Sequence, residues 1–485
     1  MFYKPSLWFL SLFLFSCGKR HSESEVNSRG KQLSEIHCKS CHLYTSPELL
    51  DRSSWIKVLS VMEREMTKAS MQVENADWIE IQQYYLENSP LILPQPLSKE
   101  KIRASNLFRL TNLMDSIPGA SPFVSMIKYD DERKALVIGD VSGDLLKFNH
   151  LEYEKKWRVG NTPIDLKFNR ESNSLDVLGM GSFMPSDEKT GQLVNISDKE
   201  IKTIIIDSLE RPVHFAREDF NNDGKEEYLV SCFGSTVGQV NSGKLALFTL
   251  DKEIYKEIVV KKLPGAIKAT TGDFNNDKWP DIIALFAQGE EKISMFINQG
   301  DFNFVEKPLL EFIPVYGCNN FELADINEDS YPDIILTNGD NGDFSPVYKY
   351  YHGVRIFVND GNYHFEEKYF YPVHGASQVL VRDFDVDGDL DMVVLAMYPD
   401  LFSWSEETIV YFENKGDLNF EPSYIEKQPS GKWLLMDAGD VDDDGDYDLI
   451  LGTNYKVKLT LLPPEYKAKW DSGRISYAVF RNTHF

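Results

Sequence analysis

Five short segments carry side-chain oxygens at one fixed spacing: DFNNDGKEE from Asp219, DFNNDKWPD from Asp273, DINEDSYPD from Asp325, DFDVDGDLD from Asp383 and DVDDDGDYD from Asp440. Positions 1, 3, 5 and 9 supply them. In order these are Asp219, Asn221, Asp223 and Glu227; Asp273, Asn275, Asp277 and Asp281; Asp325, Asn327, Asp329 and Asp333; Asp383, Asp385, Asp387 and Asp391; Asp440, Asp442, Asp444 and Asp448. Hard divalent cations take about six to eight oxygens at about 2.3–2.6 Å, so a tight turn with oxygens on alternate residues suits calcium. The bland expectation is an acidic turn without an ion, since Asn-Asp and Asp-Gly pairs are ordinary turn formers. Glu227, longer than the aspartates at its position, makes the first loop the weakest candidate.

A second chemistry sits near the N-terminus, where Cys38, Cys41 and His42 form CKSCH. Two thiols three residues apart can each form a thioether to a vinyl group of a haem, and the following histidine then stands as a proximal iron ligand. Half of a zinc site and a thioredoxin-like redox pair are the rivals. Zinc needs two further ligands and no second cysteine pair exists, while a redox pair wants a βαβ unit and residues 27 to 90 read as helical. Helical segments around GKQLSEIH, SSWIKVLSVMEREM and ADWIEIQQYYLEN predict a small all-α cytochrome c domain over 31–89. Its sixth ligand would be a methionine, from Met62, Met66 or Met71, the others being helix packing.

The elements that must position the acidic loops repeat with them. First aspartates lie 54, 52, 58 and 57 residues apart, a period that marks an array of similar units. After position 9 each segment turns apolar and β-rich, as in YLVSCF, IIALFA, IILTN, MVVLAM and LILGT. An EF-hand would continue into a helix instead. A later echo follows, FINQGDFNF, FVNDGNYHF or FENKGDLNF. This combination resembles the FG-GAP (VCBS) repeat of integrin-α-type β-propellers. The match to the loop pattern is complete in the last two loops, whereas Lys278 and Ser330 replace the turn glycine in the second and third. Two upstream segments of the same texture, from Lys134 and Asn173, bring the count to seven units over 121–485. The expected fold is thus an all-β seven-bladed β-propeller with calcium loops, preceded by the cytochrome domain. NLFRL from Asn106, within the proline-bearing 90–120 linker, is expected to supply the strand that the last blade lacks. Propellers of this type fused to a cytochrome often carry a methionine shortly after a tryptophan, and that resemblance favours Met62 over Met66.

Residues 1–16 have one cation, Lys4, and a short apolar run, the layout of a signal peptide. LFSC resembles a bacterial lipoprotein lipobox, which makes Cys17 the lipidated end of a tether over 17–30; a cleaved secretory signal is the alternative. The expected location is the bacterial cell envelope, lipid-anchored to a membrane on its periplasmic or cell-surface side. A formal charge of −25 argues against nucleic acid as a partner. Cys232 and Cys318 fall in the third and fifth blades, so a disulfide would skip a blade and two buried thiols are expected. His214, His352 and His374 lie near the expected channel mouth, where they would be packing groups or a metal or substrate site. The expected role is electron transfer outside the cytoplasm, with a redox partner protein or a small-molecule electron donor. A propeller-borne dehydrogenase of a sugar or alcohol and a surface protein recognising glycan or protein are the alternatives.

Overall fold

Seven antiparallel blades arranged as a closed ring make up the body of the molecule in the computed structural model. The structure describes residues 23–94, 101–114 and 123–484, apart from 171, 185, 187, 198, 200, 235–241, 343–344, 427–430, 458–461 and 473–474. The apolar run, Cys17 and the start of the expected tether lie outside the described residues. Among those described, no helix is long and apolar enough to cross a membrane.

Blades one to six each use four consecutive strands, over 124–158, 163–209, 212–261, 266–312, 318–372 and 376–425. The seventh takes three strands from 433–482 and its outermost from Phe108–Met114, which pairs antiparallel with Tyr477–Asn482. A further short strand, Arg103–Ser105, adds in parallel to the outer edge of blade six. The second strand of every blade is buried at all six positions, for example Asp281–Phe286 and Asp391–Ala396. Strands covered on both faces are mostly apolar, which is why these segments are rich in Ile, Leu and Val, with a few buried acids such as Asp176 and Asp281 held by hydrogen bonds. The outermost strands, such as Glu152–Arg158, keep alternate residues in water.

Each innermost strand carries a register shift near its start, at Val124/Met126, Pro163/Asp165, Pro212/His214, Ala266/Lys268, Cys318/Asn320, Ala376/Gln378 and Trp433/Leu435. A bulge re-aims the side chains that follow it. Here they reach the neighbouring blade. Asp165 accepts from Phe215 N (3.2 Å), His214 Nδ1 from Ala269 N (3.5 Å), Glu322 from Val381 N (3.1 Å), Gln378 from Met436 N (2.9 Å) and Asp437 from Tyr129 N (2.8 Å). Ser125 Oγ donates to Pro163 O (2.6 Å), and the Lys268 ammonium lies 5.6 Å from the centre of the Phe321 ring. All seven junctions are tied.

The N-terminal residues form three helices, α1 (Glu23–His37), α2 (Arg52–Lys68) and α3 (Asn75–Asn88). Asp51 starts α2 by accepting from Ser53 N and Ser54 N, a carboxylate N-cap. Gly30 lets α1 close on α3, since a Cβ there would lie 2.6 Å from Glu80 O and Tyr84 Cβ. Leu50, Trp55, Leu59, Trp78, Ile81, Tyr84 and Tyr85 fill the space between helices, and Val315 of the propeller packs against them. The module docks on the long fifth-blade connection: Tyr351 Oη donates to Leu49 O (2.9 Å) and Ser54 Oγ meets Ser345 Oγ (2.9 Å).

Gln378 donates to Met436 O as well as accepting from its N–H. Gln378→Leu leaves two backbone groups unpaired between blades and is expected to cost about 1–3 kcal/mol. Urea unfolding should show a lower midpoint with an unchanged slope; an unchanged midpoint would contradict the tie.

Candidate functional site

The five acidic loops join first to second strands and share one hydrogen-bond plan. The position 1 carboxylate accepts from the N–H of position 5, at 3.0 Å (Asp219), 3.0 Å (Asp273), 2.9 Å (Asp325), 3.1 Å (Asp383) and 3.1 Å (Asp440). In the first four it also accepts from position 6. Position 5 in turn accepts from position 7. Position 6 must adopt a positive φ for this: Gly224 (84°), Gly388 (104°) and Gly445 (95°), but also Lys278 (74°) and Ser330 (72°). The loop shape therefore survives without glycine, at a backbone cost that the surrounding bonds offset.

Position 9 ties the loop to the echo motif. Asp281, Asp333, Asp391 and Asp448 accept from the N–H of Asn298, Asn359, Asn414 and Asn482 at 2.7–2.8 Å. Each asparagine side chain returns a bond to the carbonyl of position 8. Asn298 and Asn482 also reach the position 2 carbonyl of the preceding blade, Phe220 O and Phe384 O.

After these bonds, oxygens remain. Asp281 Oδ2, Asp333 Oδ2, Asp385 Oδ1 and Asp442 Oδ1 are buried without a hydrogen-bond donor among the described residues. Single oxygens of Asp383, Asp385 and Asp391 lie within 4.8 Å of one another, as do those of Asp440, Asp442 and Asp444. Burial, then neighbouring carboxylates, pushes Asp385 up to about 6, and burial pushes Asp391 and Asp448 up to about 7. A cluster of desolvated carboxylates that resist ionisation is the electrostatic condition a divalent cation relieves. The donor set fits a hard cation. The fifth loop already draws Arg481 onto Asp442 (2.8 Å) and Lys134 onto Asp443 (2.7 Å), so the fourth is the less compensated of the two.

In the helical module Cys38 begins a short 3₁₀ turn directly after α1, and both Cys38 and Cys41 are free thiols. Burial pushes the Cys38 thiol up to about 11. His42 Nδ1 lies 2.7 Å from Leu43 O; if Nδ1 carries the proton, Nε2 is the nitrogen left for a ligand role. Met71 Sδ lies 3.8 Å from Cys41 Sγ and 3.9 Å from Ser40 Oγ. Met62 and Met66 instead pack on α2 against the aromatic core. Two thiols, an imidazole and a thioether thus gather at one end of the module, a donor set that fits a covalently held haem.

The three histidines divide. His352 and His374 are buried and interact with each other, and burial holds the His352 ring well below its usual pKa. His374 packs on Tyr348, ring centres 5.1 Å apart. His214 belongs to the central channel, 3.9 Å from Asp165, with its pKa pushed down to about 3 by burial. Cys232 and Cys318 are buried free thiols. Sequence reasoning missed the channel row of Asp165, Lys128, Lys268 and Asp437. The parallel between PIDLKF at Pro163 and PVHFAR at Pro212 was the signal available for it.

Residues 273–336 match the family model of the FG-GAP-like repeat, so the chain carries this repeat in a seven-bladed propeller. The fold is similar to that of the β-propeller domain of Myceliophteria thermophila Cps50 (Swd1), at 10% identity and a TM-score of 0.45, covering 71% of this chain and 96% of that one. It is similar also to the N-terminal domain of Nup159, at 11% identity and 0.42, covering 80% and 99%. The WD40 domain of Neurospora crassa Pan2 gives 14% and 0.43, covering 74% and 89%. No curated protein matches the sequence.

Asp391 accepts from Phe384 N, Asn414 N and Tyr411 Oη, whereas Asp387 sits at the exposed loop tip. With chelator present, Asp391→Ala should lower stability by about 2 kcal/mol or more and Asp387→Ala by about half that or less, read by thermal unfolding. Equal losses would contradict the structural role of position 9.

Proposed function

We propose that this chain is a membrane-tethered monohaem c-type cytochrome joined to a calcium-binding FG-GAP propeller, transferring electrons outside the cytoplasm. The observation that carries the reading is Cys38, Cys41 and His42 on one turn with Met71 Sδ 3.8 Å from Cys41 Sγ. Cys38 and Cys41 would anchor the haem, and His42 and Met71 would supply ligands to its iron. Bound there, the haem would supply a one-electron centre whose potential a methionine ligand raises. The apolar cluster of Trp55, Tyr84 and Tyr85 would exclude water from one side of it. Met71 is preferred here over Met62 and Met66 because its sulfur stands beside the attachment turn.

The propeller's part in this reading is to hold the helical module. Val315, Ser345 and Tyr351 seat it on the end of the ring opposite the acidic loops, since those loops join first and second strands and the fifth-blade connection joins second and third. Calcium in the loops would then act on the stability of the ring and leave the haem environment alone. Lipidation at Cys17 would place the whole at a bacterial membrane surface, periplasmic or external, facing a redox partner protein or a small-molecule donor.

Made with a cytochrome c maturation system, the protein should show a Soret band that survives acid-acetone extraction, and Cys38→Ser with Cys41→Ser should abolish it. Met71→Ala should lower the haem midpoint potential and Met62→Ala should leave it. Absence of the band from the wild type overturns the reading.

For calcium, binding to the native state alone stabilises by about 2.7 kcal/mol per site at 100-fold excess over Kd. Exhaustive chelation should lower the melting temperature of the ring by many degrees and restore on adding calcium. An unaltered melt, with no metal found by elemental analysis, would remove calcium from the account.

A further inference from the structure

The seventh blade has an insertion between its second and third strands, and it contains the helix Pro464–Ser472, α4. Beneath α4 lies a cavity of about 50 Å³ shared with the sixth blade. Its wall is mixed, with Met397, Leu401 and Trp433 beside the polar side chains of Ser405, Thr408 and Lys432. A single cation lines it. Lys432 is only 5% exposed, and no carboxylate or carbonyl among the described residues is within bonding distance of its ammonium. The Trp470 ring lies beside it, its centre 5.6 Å from Nζ. The Trp470 Nε1–H is buried and has no acceptor among the described residues. Glu407, on the segment that lines the cavity, interacts instead with Tyr371.

A buried ammonium without a counter-charge is costly, as is a buried N–H with nothing to donate to. Burial pushes Lys432 down to about 8, with no neighbouring charge contributing. A lysine on the cavity wall favours a negative charge beside it, and the N–H of a second lining residue, Trp470, lacks an acceptor among the described residues. The volume admits a few heavy atoms, being several times the about 10–15 Å³ that a single water requires.

We propose that this cavity binds a small aliphatic carboxylate, its oxygens accepting from Lys432 Nζ and Trp470 Nε1 and its alkyl part lying against Met397, Leu401 and Trp433. The site lies at the end of the ring opposite the acidic loops, because its lining segments precede a first strand or join second to third strands. It does not rest on the haem or calcium reading.

Calorimetric titration of the full chain with acetate, propionate and butyrate, and with the matching neutral amides, tests this. The carboxylates should bind and the amides should bind at least about tenfold more weakly, a difference of about 1.4 kcal/mol. Lys432→Met keeps the stem and removes the charge; it should weaken propionate binding at least about tenfold while the unliganded protein melts no lower. Trp470→Phe, which keeps a ring and removes the N–H, should weaken it by about fivefold. No binding by any carboxylate, equal binding of acid and amide, or full binding by Lys432→Met would each overturn the proposal. Should Lys432→Met not fold, protection of wild-type Lys432 from reductive methylation by propionate, read by mass spectrometry, decides the matter. An unchanged rate of modification overturns it.

Discussion

The innermost strand of a propeller blade has one edge paired and one edge facing the channel, where its N–H groups have no strand to meet. An open edge of this kind must be covered or satisfied. In this ring a side chain from the preceding blade does so, and the bulge at the start of each inner strand aims it. Asp165, His214, Glu322, Gln378 and Asp437 each accept from a backbone N–H of the following blade. The channel is polar for this reason. Burial keeps His214 neutral, so it can accept from Ala269 N and is poorly suited to proton transfer near neutral pH.

The acidic loops depend on the same ring. Position 9 heads the buried second strand, and its carboxylate is shared between the loop backbone and the echo asparagine. That geometry leaves one buried oxygen of Asp281 and of Asp333 without a donor among the described residues, whereas in the fourth and fifth loops an oxygen is left over at position 3, Asp385 and Asp442. In the fourth and fifth loops the carboxylates of positions 1, 5 and 9 accept from the backbone, and position 3 keeps a buried oxygen without a donor among the described residues. The helical module depends on the opposite end, where the fifth-blade connection is long enough to meet Leu49 and Ser54.

Seven units were legible in the sequence because the second strands are apolar runs at a constant interval, and the loops because their oxygens alternate. The shared shape of loops with and without glycine was not, since Lys278 and Ser330 give no local sign of a positive φ. The inter-blade ties were hidden because a bulge decides which residue faces the next blade. Ser54 and Ser345 are 291 residues apart, and no local pattern predicts that contact. Resemblance favoured Met62; the chain beyond α2 folds back and brings the Met71 sulfur beside Cys41, a contact that no local pattern predicts. Lys432, beside glycine in SGKW, looks like a turn lysine until α4 closes over it.

Amide hydrogen exchange of the intact protein tests most directly whether side-chain acceptors hold the ring. The N–H groups of Tyr129, Phe215, Val381 and Met436 face the channel and not a strand. If the ties hold, these amides exchange as slowly as those between first and second strands, opening only with the whole ring. Exchange as fast as that of the exposed loop tips would mean that the channel edge is open to water and that something other than these side chains holds the blades together.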